Sequence, residues 1–179
     1  PTTPTTLTTQ MTEQIATDAP PDGRNDFDFF LGTWDSQQRR LREWMTGCQE
    51  WDEFTGVSVA QKVLGGLGHM DEITMQTAAG PVRGLTLRIF EPKTQLWSIY
   101  WVDSKHATLV APMVGRFQNG VGAFYDREIF DGRNIFSRFL WTSSDPDHCR
   151  WEQAFSEDGG RTWETNWTAG FTRRPDAAD

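Results

Sequence analysis

Short runs rich in aromatic and β-branched residues recur along this chain from about residue 33 almost to its end, separated by polar turn residues. Leu85 to Phe90 and Trp97 to Val102 flank Glu91-Pro92-Lys93-Thr94-Gln95, and Asn119-Gly120 separates Val114–Gln118 from Val121–Phe130. Asp131-Gly132 precedes Asn134–Trp141, Asp145-Pro146-Asp147 precedes Cys149–Phe155, and Asp158-Gly159-Gly160 leads into Thr162–Arg173. Asn-Gly and Asp-Gly supply the positive φ angles that tight hairpins need. With earlier strands near 33–43, 50–64 and 68–77, this spacing predicts about ten strands in meander order. No helix-length pattern intervenes, which excludes the crossovers of a parallel sheet. A meander of this length packs as two sheets or closes on itself, and closure removes exposed edges. The expected fold class is therefore all-β, a single antiparallel meander β-barrel.

Residues 1–24 are rich in Thr and Pro without periodic apolar positions and read as a disordered tail. Order is expected from Asn25, an N-cap for the short apolar turn Asp26-Phe27-Asp28-Phe29-Phe30-Leu31. The barrel domain is placed at 25–174 and a flexible C-terminus at 175–179. Gly65-Gly66-Leu67-Gly68 reads as a hairpin turn, since no helix follows it to make a phosphate cradle.

Gly32-Thr33-Trp34 opens the first strand directly after that apolar turn, and Phe171-Thr172-Arg173-Arg174 ends the last one. The pair resembles the Gly-x-Trp signature of calycins, the superfamily of lipocalins and fatty-acid-binding proteins. The resemblance implies that Trp34 plugs a closed barrel end and that Arg173 or Arg174 lies across its ring. The run from Phe27-Asp28-Phe29-Phe30-Leu31-Gly32-Thr33-Trp34 to Trp163-Glu164-Thr165-Asn166-Trp167 also resembles a family of largely uncharacterised bacterial calycin-like domains. It implies a calycin-like fold and little about chemistry. Ser156-Glu157-Asp158-Gly159-Gly160-Arg161-Thr162-Trp163 is similar to the Asp-box hairpin of sialidase propellers, but one copy without a repeat makes it a turn device.

Composition narrows the partners. A formal net charge of −8 opposes binding to phosphate backbones and to anionic membrane surfaces, so neither nucleic acid nor membrane is an expected partner. No segment has the run of about 18 apolar residues that a membrane helix needs, and the N-terminal stretch lacks a secretory signal's basic and apolar regions. A cytoplasmic setting is the default expectation, with the chain a monomer or homodimer. Cys48 and Cys149 leave a bridge open, but free buried thiols are expected. His69, His106 and His148 fall in or beside presumed loops without metal-ligand spacing, and no cofactor fingerprint is present. No metal or cofactor is expected.

Nine Trp and twelve Phe, against two Tyr, make an aromatic interior the natural source of binding. If Phe155 pairs with Trp163, one face carries Trp151, Gln153, Phe155, Trp163, Thr165 and Trp167, and burial turns that face inward. Trp97, Ile99, Trp101 and Asp103 share another face. Asp103, beside Trp101 at a strand end, is a candidate general acid or base if desolvation raises its pKa, or else a solvated loop-starting aspartate. An inward Trp34 carries Ser36, Gln38 and Arg40 with it. That row suits only a wet cavity and makes Arg40 a candidate anchor for a carboxylate or phenolate, the rival being a bulge that turns the row outward. Arg138 is a second candidate anchor if it faces inward, and a partner for Glu152 if it faces out, with Ile135, Ser137, Phe139 and Trp141 on its strand's other face. Glu72, with Met70 and Thr74, and Glu53, with Trp51, are further candidate interior carboxylates.

Two functions follow. The first is a barrel that binds an apolar or aromatic small molecule in an internal cavity through Gln38, Arg40, Trp101, Arg138, Trp141, Trp151, Gln153 and Trp167. The alternative is a cofactor-independent cyclase, isomerase, lyase or dehydratase on such a molecule, with Asp103, Glu72 or Glu53 moving protons. A barrel filled by its own side chains, acting as an interaction module, would exclude both.

Overall fold

Turns at the expected glycine and aspartate positions divide the chain into ten strands, and each strand pairs antiparallel with the next in sequence. The computed structural model describes residues 22–175, so the expected tail and C-terminus lie outside the described residues for all but a few positions. The strands are β1 (Gly32–Leu41), β2 (Trp51–Val63), β3 (Gly68–Thr77), β4 (Gly80–Glu91) and β5 (Leu96–Asp103). They continue as β6 (Met113–Gln118), β7 (Val121–Phe130), β8 (Arg133–Asp145), β9 (His148–Ser156) and β10 (Glu164–Arg173). Pairing of β1 with β10, from Trp34 opposite Arg173 to Arg40 opposite Trp167, closes the barrel. The closed antiparallel meander of ten strands expected from the turn pattern is the fold of this chain.

The segment before β1 forms two short 3-10 turns, Gly23–Asn25 and Asp28–Phe30, and fills one end of the barrel. Asp22 caps the first turn by accepting from the Arg24 amide, and Asn25, expected as the N-cap of the apolar turn, lies inside that first turn, while Phe27 precedes the second without a side-chain cap. Phe27 is fully buried and meets Trp97 and Phe117 edge-on, each with centroids 5.0 Å away. Phe30 stacks on Trp34 at 5.3 Å, and the Trp34 indole N–H donates to the Phe30 carbonyl. Outside this plug lies Arg173, its guanidinium 4.2 Å from the Trp34 ring centroid and donating to the Leu31 and Phe29 carbonyls. Arg174 instead points away and pairs with Asp35. This end is sealed by aromatic packing, and the cavity opens at the other.

The Asp-box segment is a turn. Asp158 accepts from the amides of Arg161 and Thr162 and from the hydroxyls of Ser156 and Thr162. Those donors, Thr162 foremost, hold its carboxyl well below the ordinary aspartate pKa. The turn keeps Trp163 out of β10, so Phe155 pairs with Glu164 rather than Trp163. A bulge between Thr165 and Trp167 then shifts the register, with fully buried Asn166 as the extra residue. Trp163 and Thr165 are thereby removed from the expected inward face, while Trp151, Gln153, Phe155 and Trp167 line the interior.

Candidate functional site

The barrel encloses a cavity of about 840 Å³ that reaches from Phe30 at the plugged end to Asp103 and His106 at the open one. A polar row on β1 sets the character of one wall. On β1 the alternation places Ser36, Gln38 and Arg40 on the Trp34 side, while Asp35, Gln37 and Arg39 face solvent. Gln38 is buried, donates to Ser36 and accepts the Trp167 indole N–H at 2.8 Å. Arg40 follows at the open side, with its guanidinium 5.3 Å from the Trp167 centroid and 5.6 Å from that of Phe54. Among the described residues no carboxylate forms an ion pair with Arg40, whereas Arg39, one position away, pairs with Glu53 on the surface.

Opposite and beside Arg40 the walls are aromatic. Trp151 meets Trp167 edge-on at 5.5 Å and Phe139 at 5.1 Å. Trp101 comes from β5, on the far side of the barrel from β10, and its ring reaches to 6.4 Å from Trp167. These two indoles span the interior. Trp101 can lean in because Gly84 on the neighbouring β4 has no side chain. A Cβ there would sit 1.9 Å from the Trp101 ring.

At the plugged end the cavity meets a buried charge cluster. The Arg88 guanidinium donates to Asp71, contacts His69 Nδ1 at 3.0 Å, and lies over the rings of Phe27, Trp141 and Phe30. Arg88, Asp71 and His69 are 2%, 4% and 1% exposed, so the pair is held where an unmatched charge would be strongly disfavoured. Burial, with the nearby Arg88 and Lys62 charges, pushes the His69 pKa down to about 2. His69, expected in or beside a loop, is therefore a neutral interior residue of β3.

The expected site residues separate into two groups. Gln38, Arg40, Trp101, Asp103, Trp141, Trp151, Gln153 and Trp167 all border the cavity. Glu53, Glu72 and Arg138 do not. Glu53 and Trp51 lie on the outer surface under Arg39, and Glu72 is exposed because Asp71, Ile73 and Met75 take the inward positions of β3. Arg138 lies outside, 4.3 Å over the Trp163 ring and 3.8 Å from Glu152, because its neighbours Ser137 and Phe139 are the inward ones. Asp103 stands at the mouth, where burial raises its pKa but hydrogen bonds from the His106 and Lys105 amides and the His106 ring outweigh it. The net shift is downward, against the raised value expected of a general acid.

Asp71, Arg88 and Glu128 were not anticipated. Glu128, at the rim on β7, is largely exposed, yet its carboxyl end accepts from buried Ser137. That local burial, with Asp126 nearby, holds its pKa above the ordinary glutamate value. Among the described residues no group of three or more His, Cys, Asp or Glu side chains is placed to hold a metal, and no helix is long and apolar enough to cross a membrane.

No protein family matches the chain by sequence, and no curated protein does. Solved structures do. An S-type phycobiliprotein lyase from Guillardia theta superposes with a TM-score of 0.58 at 10% identity, covering 86% of this chain and 93% of that one. The likeness is one of fold. A designed fluorescence-activating β-barrel matches at a TM-score of 0.47 and 14% identity, over 84% of this chain and 98% of the design.

Proposed function

We propose that this barrel binds an aromatic or extended apolar organic molecule carrying an anionic group, which Arg40 holds between the Trp167 and Phe54 rings. One observation carries the reading: an arginine without an ion-pair partner among the described residues borders an aromatic cavity of about 840 Å³. A guanidinium stacked on rings keeps its in-plane N–H groups free for a carboxylate, phenolate or sulfonate. That volume lies within the range of about 300–1,000 Å³ usual for small-molecule pockets. The S-type phycobiliprotein lyase shares the barrel fold, and a small-molecule role fits that shape.

Binding is favoured over turnover because two of the expected proton-transfer carboxylates, Glu53 and Glu72, lie outside the cavity, and Asp103 is tuned toward the ionised form. Glu128 supports the second reading, a cofactor-independent enzyme, since its raised pKa and rim position suit a proton donor.

Fluorescence titration with 8-anilinonaphthalene-1-sulfonate, an aromatic anion, tests the main reading. Saturable binding with tryptophan quenching is expected, and Arg40→Gln should weaken it about tenfold, a charge-assisted hydrogen bond being worth about 1.5–3 kcal/mol. No saturable binding of this dye or of a panel of aromatic acids would return the chain to an interaction module. Conversion of a bound acid, lost in Glu128→Gln, would favour the enzyme.

A further inference from the structure

The cavity's polar groups are concentrated rather than scattered. Near the plugged end, the adjacent strands β2, β3 and β4 turn Ser58, Asp71, Thr86 and Arg88 into the interior, each less than a tenth exposed. Asp71 lies opposite Thr86 in the β3–β4 register, and Ser58 lies opposite Trp34 on β1. Across the barrel from this patch, β8 presents the Trp141 ring. The floor is thus polar on one wall and aromatic on the other.

Two of these polar side chains are incompletely used. The Ser58 hydroxyl and the Arg88 Nε–H have no hydrogen-bond partner among the described residues, although both residues border the cavity. Buried polar groups in folded proteins are ordinarily paired, so such atoms call for a reason. The charge on Arg88 is already matched by Asp71. A second carboxylate brought to this floor would face Asp71, and an ammonium would face Arg88, so the buried pair disfavours net charge of either sign. A neutral group that donates to Asp71 and accepts from Arg88 or Ser58 meets neither penalty.

We propose that this floor is a recognition site for an uncharged donor–acceptor group, such as a carboxamide or a phenolic hydroxyl. The inference rests on the barrel being a small-molecule binder and fixes the direction of entry. The neutral end goes in first, the ring system lies along Trp151 and Trp167, and the anionic end stays with Arg40.

Three probes of one shape test this: 2-naphthamide, 2-methylnaphthalene and 2-naphthoate, with dissociation constants measured by calorimetry on the full chain. The quantity read is the preference for the amide over the methyl compound. In the double variant Asp71→Leu/Arg88→Met, which removes both charges together, that preference should fall about tenfold, the equivalent of about 1.4 kcal/mol. Ser58→Ala, which deletes one hydroxyl, should lower it a few-fold and serves alone if circular dichroism shows the double variant unfolded. Arg40→Gln should weaken naphthoate. A preference unmoved by the floor variants, with all three probes still binding, overturns the floor site and leaves the binding function standing. A preference that falls more with Arg40→Gln than with the floor variants places the amide at the mouth and overturns the orientation. If no probe binds the wild-type chain, the binding function falls and this site with it.

Discussion

The guanidinium of Arg173, from the last strand, lies 4.2 Å from the centre of the Trp34 ring at the start of the first, and its N–H groups reach the carbonyls of Phe29 and Leu31. One side chain therefore ties together the strand ends that close the barrel and the turn that plugs it. Arg173→Lys keeps the charge but loses the planar fork, so it should destabilise the fold by about 1–3 kcal/mol in urea unfolding. Arg174→Lys, in an exposed pair with Asp35, should change the midpoint little.

Gly84 makes room for Trp101. Gly84→Ala should cost about 1–3 kcal/mol through overpacking and displace the indole that spans the cavity toward Trp167. Denaturation together with the tryptophan emission spectrum checks this. An unchanged midpoint and spectrum would mean that Trp101 is not held against Gly84.

His69 makes stability depend on acid. Its folded pKa, down to about 2, lies below the unfolded value near 6.5. Below about pH 6.5 the unfolded chain takes up a proton that the native chain refuses, so stability falls as pH falls, by about 1.4 kcal/mol per pH unit for this group. His69→Gln should flatten the difference in stability between pH 6.5 and pH 5 relative to the wild type. An equal slope in both proteins would show that His69 takes up its proton without unfolding.

The two thiols should behave differently. Cys149 is buried, which pushes its pKa up to about 12, whereas Cys48 is partly exposed in the loop after β1. Ellman's reagent should titrate one thiol in the native protein and both in denaturant. Rapid reaction of both in the native state would mean that the β9 end of the barrel opens readily.

Much of the barrel is visible in the sequence because its turns carry their own chemistry and Trp34 supplies a phase for β1. Once Trp34 is inside, strict alternation leads to Gln38 and Arg40. β4 carries the opposite message. Leu85, Leu87 and Ile89 look like the buried row, yet Thr86, Arg88 and Phe90 face inward, so apolar content alone assigns the strand upside down. On β3 the slip is a single residue, from Glu72 to Asp71, and a single residue is enough to move a carboxylate from the floor to the surface. Polar interiors hide from hydrophobic pattern reading. The bulge at Asn166 hides for another reason, since its register depends on how far the Asp158 turn extends.

The joint between β5 and β6 has only three matched positions, from Trp97 opposite Gly115 to Ile99 opposite Met113. Beyond Ile99 the β5 strand runs on through Trp101 to Asp103, bonded to β4 on one side, while on the other the Val110 amide donates to the Trp101 carbonyl and the Ala107 amide to that of Asp103 without a paired strand. The cylinder therefore has a seam, and the seam runs beside one of the two indoles that span its interior. With the fewest matched positions of the ten joints, it is the place where the wall parts first if it parts at all, while the nine other joints hold the shape.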